Sequence, residues 1–149
     1  MSALVSNILT QTKSVISTEL GATYQELPFI YDVSKNNLRR AEKAYGVRPL
    51  SALPTEGVTK VYTLDHDFEV ILSDTFARGD SDSQRETALN TMYDKADEIF
   101  KALIATKINL AATVLHVFGP TLSEPEFFDD NKMVILRMQY TVKYRSTLD

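Results

Sequence analysis

The chain has 149 residues, the length of one domain of ordinary size. Charged residues make up 24% of it, and 16 Lys and Arg against 20 Asp and Glu give a net charge of −4. This acidic balance disfavours a generally basic nucleic-acid-binding domain. The chain has no cysteine, which excludes disulfides, thiolate zinc sites and cysteine nucleophiles, and its two histidines are too few for most histidine metal centres.

The N-terminus has neither a basic segment nor a continuous apolar run, so we expect no secretory signal. No apolar run approaches the roughly 20 residues that span a bilayer. We therefore expect residues 1–149 to form a single domain, with an N-terminal helix over 1–21 and an α+β body over 22–149.

The first part of the chain predicts two helices. Apolar residues at helical spacing predict a helix over 2–19. Residues 22–33 are expected to be irregular, with a short edge strand near Phe29. A short helix is predicted over 34–45, and the following segment 47–57, with its prolines and glycine, is expected to be a loop.

The middle of the chain predicts a long strand and a long helix. Apolar and polar residues alternate over 58–76, and this period of two predicts a strand that packs on one side only. The polar segment 77–83 then interrupts the pattern. A helix is predicted over 83–105, with Asp82 or Ser83 as its N-terminal cap.

The last part predicts two strands, one over 111–118 that ends at Gly119-Pro120 and one over 132–146. The acidic loop 121–131 between them is too short for a crossover helix, so the two strands should be antiparallel. The preceding helix is expected to be a crossover connection. The fold class that follows is α+β: a single mixed, largely antiparallel sheet with helices packed on one face and a polar second face exposed or used for assembly.

The residues that suggest chemistry are few. Asp65, Asp67 and Glu69 alternate along one strand, as carboxylates that bind Mg²⁺ in a nuclease do. We favour a solvated strand face, or an edge blunted by charge, because a metal nuclease would also want a lysine beside its carboxylates and the next basic residue after Glu69 is Arg78. His66 and His116 are expected in the core. No nucleophile motif or phosphate-binding loop is present, so we expect no catalytic residue, no cofactor and no metal.

Three groups of residues are candidates for contacts between proteins. The basic group is Lys35, Arg39, Arg40, Lys43 and Arg48. The acidic group, with two aromatic neighbours, is Glu124, Glu126, Phe127, Phe128, Asp129 and Asp130. Phe76 and Arg78 form the third group, at the polar break. Solvated surface charge is the simpler interpretation. The functional one is that the basic group of one copy meets the acidic group of the next, and such head-to-tail contacts close into a ring when the rotation closes.

Several stretches of the chain resemble tail-terminator and related neck proteins of tailed bacteriophages. These stretches are 27–37 running into 44–49, then 62–72, and finally 93–100 together with 134–145. They cover most of the chain from residue 27 onward and contain no catalytic signature.

The resemblance implies a small α+β subunit of a hexameric ring that caps the tail tube and joins it to the head connector. The implied partners are other copies of the chain, tail-tube and sheath proteins, and connector or neck proteins. DNA would pass through the ring without specific binding, and no membrane is involved. The implied location is the tail or neck of a virion assembled in the bacterial cytoplasm. A head-closure, neck-adaptor or tail-tube subunit is the alternative, and a metal-dependent nuclease is a third.

Overall fold

A computed structural model describes residues 2–26, 43–58, 61–76, 79, 81–105, 114–128 and 133–147. In chain order these residues form α1 (Ser2–Leu20), a 3₁₀ turn (Gly21–Thr23), β1 (Gln25–Glu26), β2 (Lys43–Val58), β3 (Val61–Thr75), α2 (Asp82–Ala105), β4 (Val114–Leu122), β5 (Glu126–Phe128) and β6 (Met133–Thr147). The α+β class is confirmed, and both long helices lie where the sequence predicts them.

The described strands form one sheet in the order β1-β2-β3-β6-β4, and β5 pairs with the beginning of β6. The pairing of β1 with β2 is parallel, while the other pairings are antiparallel. The sheet is therefore mixed and largely antiparallel, as predicted. Since β3 and β4 both run antiparallel to β6 between them, they are parallel to each other, and α2 is the predicted crossover.

The centre of the sheet is the pairing of β3 with β6, which runs without a register shift from Val61 opposite Thr147 to Thr75 opposite Met133. This register brings apolar residues of the two strands into direct opposition. Phe68 lies opposite Tyr140 and stacks on it with ring centroids 5.7 Å apart. The alternation predicted from the sequence is thus a buried face shared by both strands.

Both helices pack on this face. Their buried side chains join those of β3 and β6 in one hydrophobic cluster. On α1 the buried residues recur every fourth position, as Ile8, Thr12, Ile16 and Leu20; on α2 they are Met92, Ala96, Ile99, Phe100 and Leu103. Thr12 is the one polar residue among these buried residues of α1. The hydroxyl group of Tyr140 donates a hydrogen bond to its Oγ1 at 3.0 Å, so the buried Thr12 hydroxyl has a partner in the sheet.

The N-terminal cap of α2 is Ser81, one residue before the predicted caps Asp82 and Ser83. The Ser81 hydroxyl accepts a hydrogen bond from the backbone N–H of Gln84 at 3.2 Å, and Oε1 of Gln84 accepts one from the N–H of Ser81 at 2.8 Å. This is a reciprocal capping box. It determines where the first turn of α2 begins.

The prediction was wrong around β2. Residues 43–45, assigned to the end of a short helix, begin a strand, and the expected loop 47–57 belongs to the same strand. The rest of the predicted helix and the predicted edge strand near Phe29 fall in residues 27–42, which lie outside the described residues. Pro49 and Pro54 suggested a loop, but each lies next to a register shift in a strand near the edge of the sheet, where proline is tolerated.

Two details of β4 also differ from the prediction. The strand continues through Gly119-Pro120 to Leu122, with a register shift between Phe118 and Thr121. Gly119 makes this irregularity possible: its φ is 117°, and a Cβ atom there would lie 3.3 Å from the carbonyl oxygen of Gln139. His116, expected in the core, is exposed.

The second face of the sheet is less polar and less exposed than predicted. Ile71 and Ile135 are buried there, and so are Ser73 and Glu69. An exposed polar face was expected because polar residues predominate at the odd-numbered positions of β3. The structure instead buries the part of this face near the end of β3 and the beginning of β6, whereas Asp67 and Thr141 near the middle are half-buried and Gln139 is exposed.

The Tyr140–Thr12 hydrogen bond provides a test of how α1 is attached to the sheet. Replacing Tyr140 with Phe leaves the buried Thr12 hydroxyl without its partner, and we expect a loss of about 1–2 kcal/mol in the free energy of unfolding, measured by urea denaturation. Thr12→Val should cost a similar amount. The double variant should lose less than the sum, because removing both partners leaves no unsatisfied group. Strict additivity would contradict this contact.

Candidate assembly surface

A cluster of four charged residues connects four strands on the second face. Arg48 of β2 donates from Nε to Oε1 of Glu69 at 2.8 Å, and Arg137 of β6 donates from Nη1 to the same oxygen at 3.2 Å. Nε of Arg137 donates to Oε1 of Glu126 in β5 at 2.8 Å. Partial burial alone would lower the pKa of Arg137, but the hydrogen bond to Glu126 and the charges of Glu126 and Glu69 raise it.

The three alternating carboxylates of β3 lie beside partners on neighbouring strands. Asp67 accepts a hydrogen bond from the hydroxyl of Thr141 at 2.6 Å. Oδ1 of Asp65 is 3.9 Å from Nζ of Lys143, an ion pair without a hydrogen bond. Glu69 belongs to the charged cluster. Within the described ranges, no group of three His, Cys, Asp or Glu side chains is arranged to bind a metal ion. These pairings favour the interpretation of a structural strand face.

His66 is buried, as predicted, between two hydrogen-bond partners. Its Nε2 lies 3.1 Å from the carbonyl oxygen of Leu50, which can only accept, so this nitrogen carries the proton. Nδ1 then accepts from the hydroxyl of Tyr144 at 3.0 Å. Burial lowers the pKa of His66, against the opposing effects of the Leu50 carbonyl and of the charge on Asp67. The histidine is therefore a neutral core residue.

The outer edge of the sheet at β4 is apolar. Three large side chains of this strand are 38–41% exposed: Leu115, Phe118 and Leu122. The pairings of β4 among the described strands are all with β6, so its other edge presents backbone groups without a partner strand there. Soluble proteins usually protect such edges, and an apolar edge favours pairing with another protein.

A groove of about 300 Å³ lies at the N-terminal end of α2. It is formed by the first turns of this helix, the end of β3 and β5. Phe76, Leu89 and Phe127 form its apolar wall, and the rings of Phe76 and Phe127 stack with centroids 6.4 Å apart. The guanidinium carbon of Arg85 lies 5.8 Å from the centroid of the Phe76 ring, and its Nε is buried without a hydrogen-bond partner.

The rim of this groove is acidic. Asp82 and Glu86, one turn apart on α2, are exposed and line it. No ion pair of either residue occurs within the described ranges. The groove thus combines an apolar wall with carboxylates at its entrance.

The predicted basic group is not assembled into one patch by the described residues. Lys35, Arg39 and Arg40 lie outside them. Nζ of Lys43 lies 3.9 Å from Asp74, and Arg48 is bound in the charged cluster.

Of the other candidates, Phe76 and Phe127 line the groove. Glu124 is exposed, Glu126 contacts Arg137, Phe127 is 46% exposed, and Phe76 is mostly buried beneath it. Arg78, Asp129, Asp130 and the side chain of Phe128 lie outside what the structure describes. Their role at an interface stays a prediction.

Sequence reasoning missed two features of these surfaces. The groove depends on Arg85 and Leu89 of α2, and the sequence pattern does not connect these two residues with Phe76 or Phe127. The signal was the sequence Ser81 to Gln84, a capping box that places the first turn of α2 beside Phe76. The partners of Glu69 were missed because they are 21 and 68 residues away.

Comparisons with known proteins show a similarity to a solved structure. No protein-family model and no curated protein matches the chain. A chain from the solved structure of the virion of a native gene transfer agent particle has the same fold, with a TM-score of 0.54 and 13% sequence identity. The similarity covers 93% of this chain and 92% of that one.

Neither helix, as far as its residues are described, is long and apolar enough to cross a membrane.

The charged cluster provides a stability test. Glu69→Gln removes the carboxylate that lies between Arg48 and Arg137, and we expect a loss of about 3 kcal/mol in the free energy of unfolding. The matched control is Glu98→Gln, which removes an exposed partner of Lys95 and should change stability by no more than about 0.5 kcal/mol. Equal effects of the two substitutions would contradict the importance of the cluster.

His66 predicts a pH dependence of stability. Because its pKa is lower in the folded chain than in the unfolded chain, the unfolded state takes up the proton first as the pH falls below about 6.5. The contribution of His66 is complete above that pH and decreases below it. Between about pH 7.5 and 5.5, the free energy of unfolding should therefore fall more steeply for the wild type than for His66→Gln. Parallel curves would show that His66 does not titrate differently on folding.

Proposed function

We propose that the chain is a structural subunit of a phage-like virion. The observation that carries this proposal is the common fold over nearly the whole of both chains, since the similar chain belongs to the virion of a gene transfer agent particle. The chemistry of the described residues is consistent with it, because the carboxylates that suggested a nuclease are paired with Thr141, Lys143 and two arginines.

Within such a particle, we propose that the chain is a tail-terminator subunit and forms a ring, of six copies, that caps the tail tube and joins it to the head connector. The sequence resemblance supports this role. Two unlike surfaces also support self-assembly: the apolar edge of β4 on one side of the sheet and the groove with its acidic rim near the beginning of α2. Surfaces that differ in chemistry suit head-to-tail contacts, which close into rings.

The proposed subunit acts through contacts rather than catalysis. Its partners would be other copies of itself, tail-tube and sheath proteins, and neck proteins. The net charge of −4 suits a ring through which DNA slides, because tight binding to phosphates requires clusters of Lys and Arg. The proposed location is the tail or neck of the virion, after assembly in the bacterial cytoplasm, and the proposed unit is a single domain over residues 1–149.

A head-closure, neck-adaptor or tail-tube subunit is the alternative role. The difference lies in how the protein polymerises, because a terminator stops at one ring whereas a tube subunit continues to add layers. This difference determines the experiment.

Electron microscopy of the purified protein tests the proposal. We expect closed rings of uniform diameter, and we expect that added rings stop the growth of tubes assembled from the tail-tube protein of the same particle. Growth of the purified chain into long tubes would contradict the terminator role and favour a tube subunit. A weak contact between subunits has a dissociation constant of about 100 µM. A protein that stays monomeric well above that concentration would contradict a self-assembling subunit.

A further inference from the structure

The exposed segment Ser51–Pro54 of β2, called the arm below, carries the most exposed large apolar side chain among the described residues. Leu53 is 67% exposed, and its neighbours from Ser51 to Pro54 are exposed as well. Leu53 lies opposite Asp65, on the face of the sheet away from the helices. A single exposed leucine is ordinary, but this one lies in a segment of four consecutive exposed residues.

The groove lined by Phe76 and Phe127 is at the other end of the same strands. Eleven residues of β3 separate Asp65 from Phe76, which corresponds to roughly 35 Å along the strand. Leu53 therefore cannot reach the groove of its own chain. A contact between the two surfaces has to join two different copies.

We propose that the arm of one copy docks in the groove of the next, with Leu53 against the apolar wall formed by Phe76, Leu89 and Phe127. This contact rests on the proposed self-assembly and identifies the surfaces that it uses. A groove of about 300 Å³ is at the lower limit of typical small-molecule pockets, and its size suits one or two aliphatic side chains. Leu53 and Pro54 together provide such a pair.

Charge complementarity supports a second copy as the occupant. Arg145 of β6 is exposed and lies on the same face as Leu53, two strands away and two residues further along. These register positions place it about 12 Å from Leu53. With Leu53 against the apolar wall, Arg145 would approach the rim of the groove, where Asp82 and Glu86 are exposed. Such rim charges select the partner and its orientation more than they add affinity.

The geometry of the contact has a consequence for the assembly. The arm and the groove are different surfaces, so one copy offers its arm to the next and receives the arm of the previous one. This heterologous contact produces a ring if the rotation closes and an open filament if it does not. It replaces the earlier expectation in which Arg48 contributes to the basic side of the contact, because Arg48 is bound to Glu69.

The absence of cysteine makes a crosslinking test direct. We would produce Leu53→Cys and Glu86→Cys chains together in one cell with different affinity tags, and treat the purified assembly with a short bismaleimide. The linker cannot bridge the two positions within one chain. We expect a crosslinked dimer that carries both tags. Glu98→Cys is the matched control for Glu86→Cys, because it is exposed on the same helix about 18 Å further along, and it should not crosslink to Leu53→Cys.

A substitution gives an independent measurement. Leu53→Asp places a charge against the apolar wall, and we expect association measured by sedimentation to weaken at least tenfold. Ile104→Asp, at another exposed aliphatic residue near the end of α2, should leave association unchanged. Circular dichroism would check that both variants remain folded, as expected for exposed positions.

The outcomes distinguish this contact from the proposed function. Crosslinks between Leu53→Cys and Glu86→Cys together with weakened association of Leu53→Asp would support it. Rings that form normally without that crosslink, or with Leu53→Cys crosslinked mainly to itself, would overturn the contact while the structural role remains. A wild-type chain that stays monomeric would overturn both.

Discussion

The pairing of β3 with β6 is the constraint on which the rest of the structure depends. It continues over the whole length of both strands without a register shift, from Val61 opposite Thr147 to Thr75 opposite Met133. A slip of one residue would transfer every side chain of a strand to the other face. The observed register places Phe68 and Tyr140 beneath the helices and brings Arg137, which lies opposite Ile71, within diagonal reach of Glu69 on the other face. The core and the charged cluster thus specify the same register independently.

The length of these strands also explains why the subunit has two unlike ends. Strands of 15 residues are much longer than the usual five or six, so surfaces at the two ends of the sheet lie far apart. One end carries the arm with Leu53, and the other carries the groove beside the first turn of α2. A chain with different surfaces at its two ends is suited to head-to-tail assembly, whereas a two-fold dimer would need one self-complementary surface.

The sequence predicts those elements best in which local pattern and tertiary environment agree. The helix α2 and the strands β3 and β6 have long periodic patterns and were assigned nearly to their ends. β2 was missed because Pro49 and Pro54 have a strong local preference for loops, which a position near the edge of the sheet overrides. Arg48 appeared free because its partner Glu69 is distant in sequence. Contacts of this kind arise from strand register, which a local sequence pattern does not contain. The groove was missed for a similar reason, because it forms where the end of β3, α2 and β5 meet.

Cryo-electron microscopy of purified particles, with mass spectrometry of their proteins, tests the proposal that this chain is a structural part of a phage-like virion. We expect the chain to be present in stoichiometric amounts and its fold to fit a ring of density at the head-proximal end of the tail. Particles that are complete and infectious, or that transfer genes, but lack the chain would overturn the proposal.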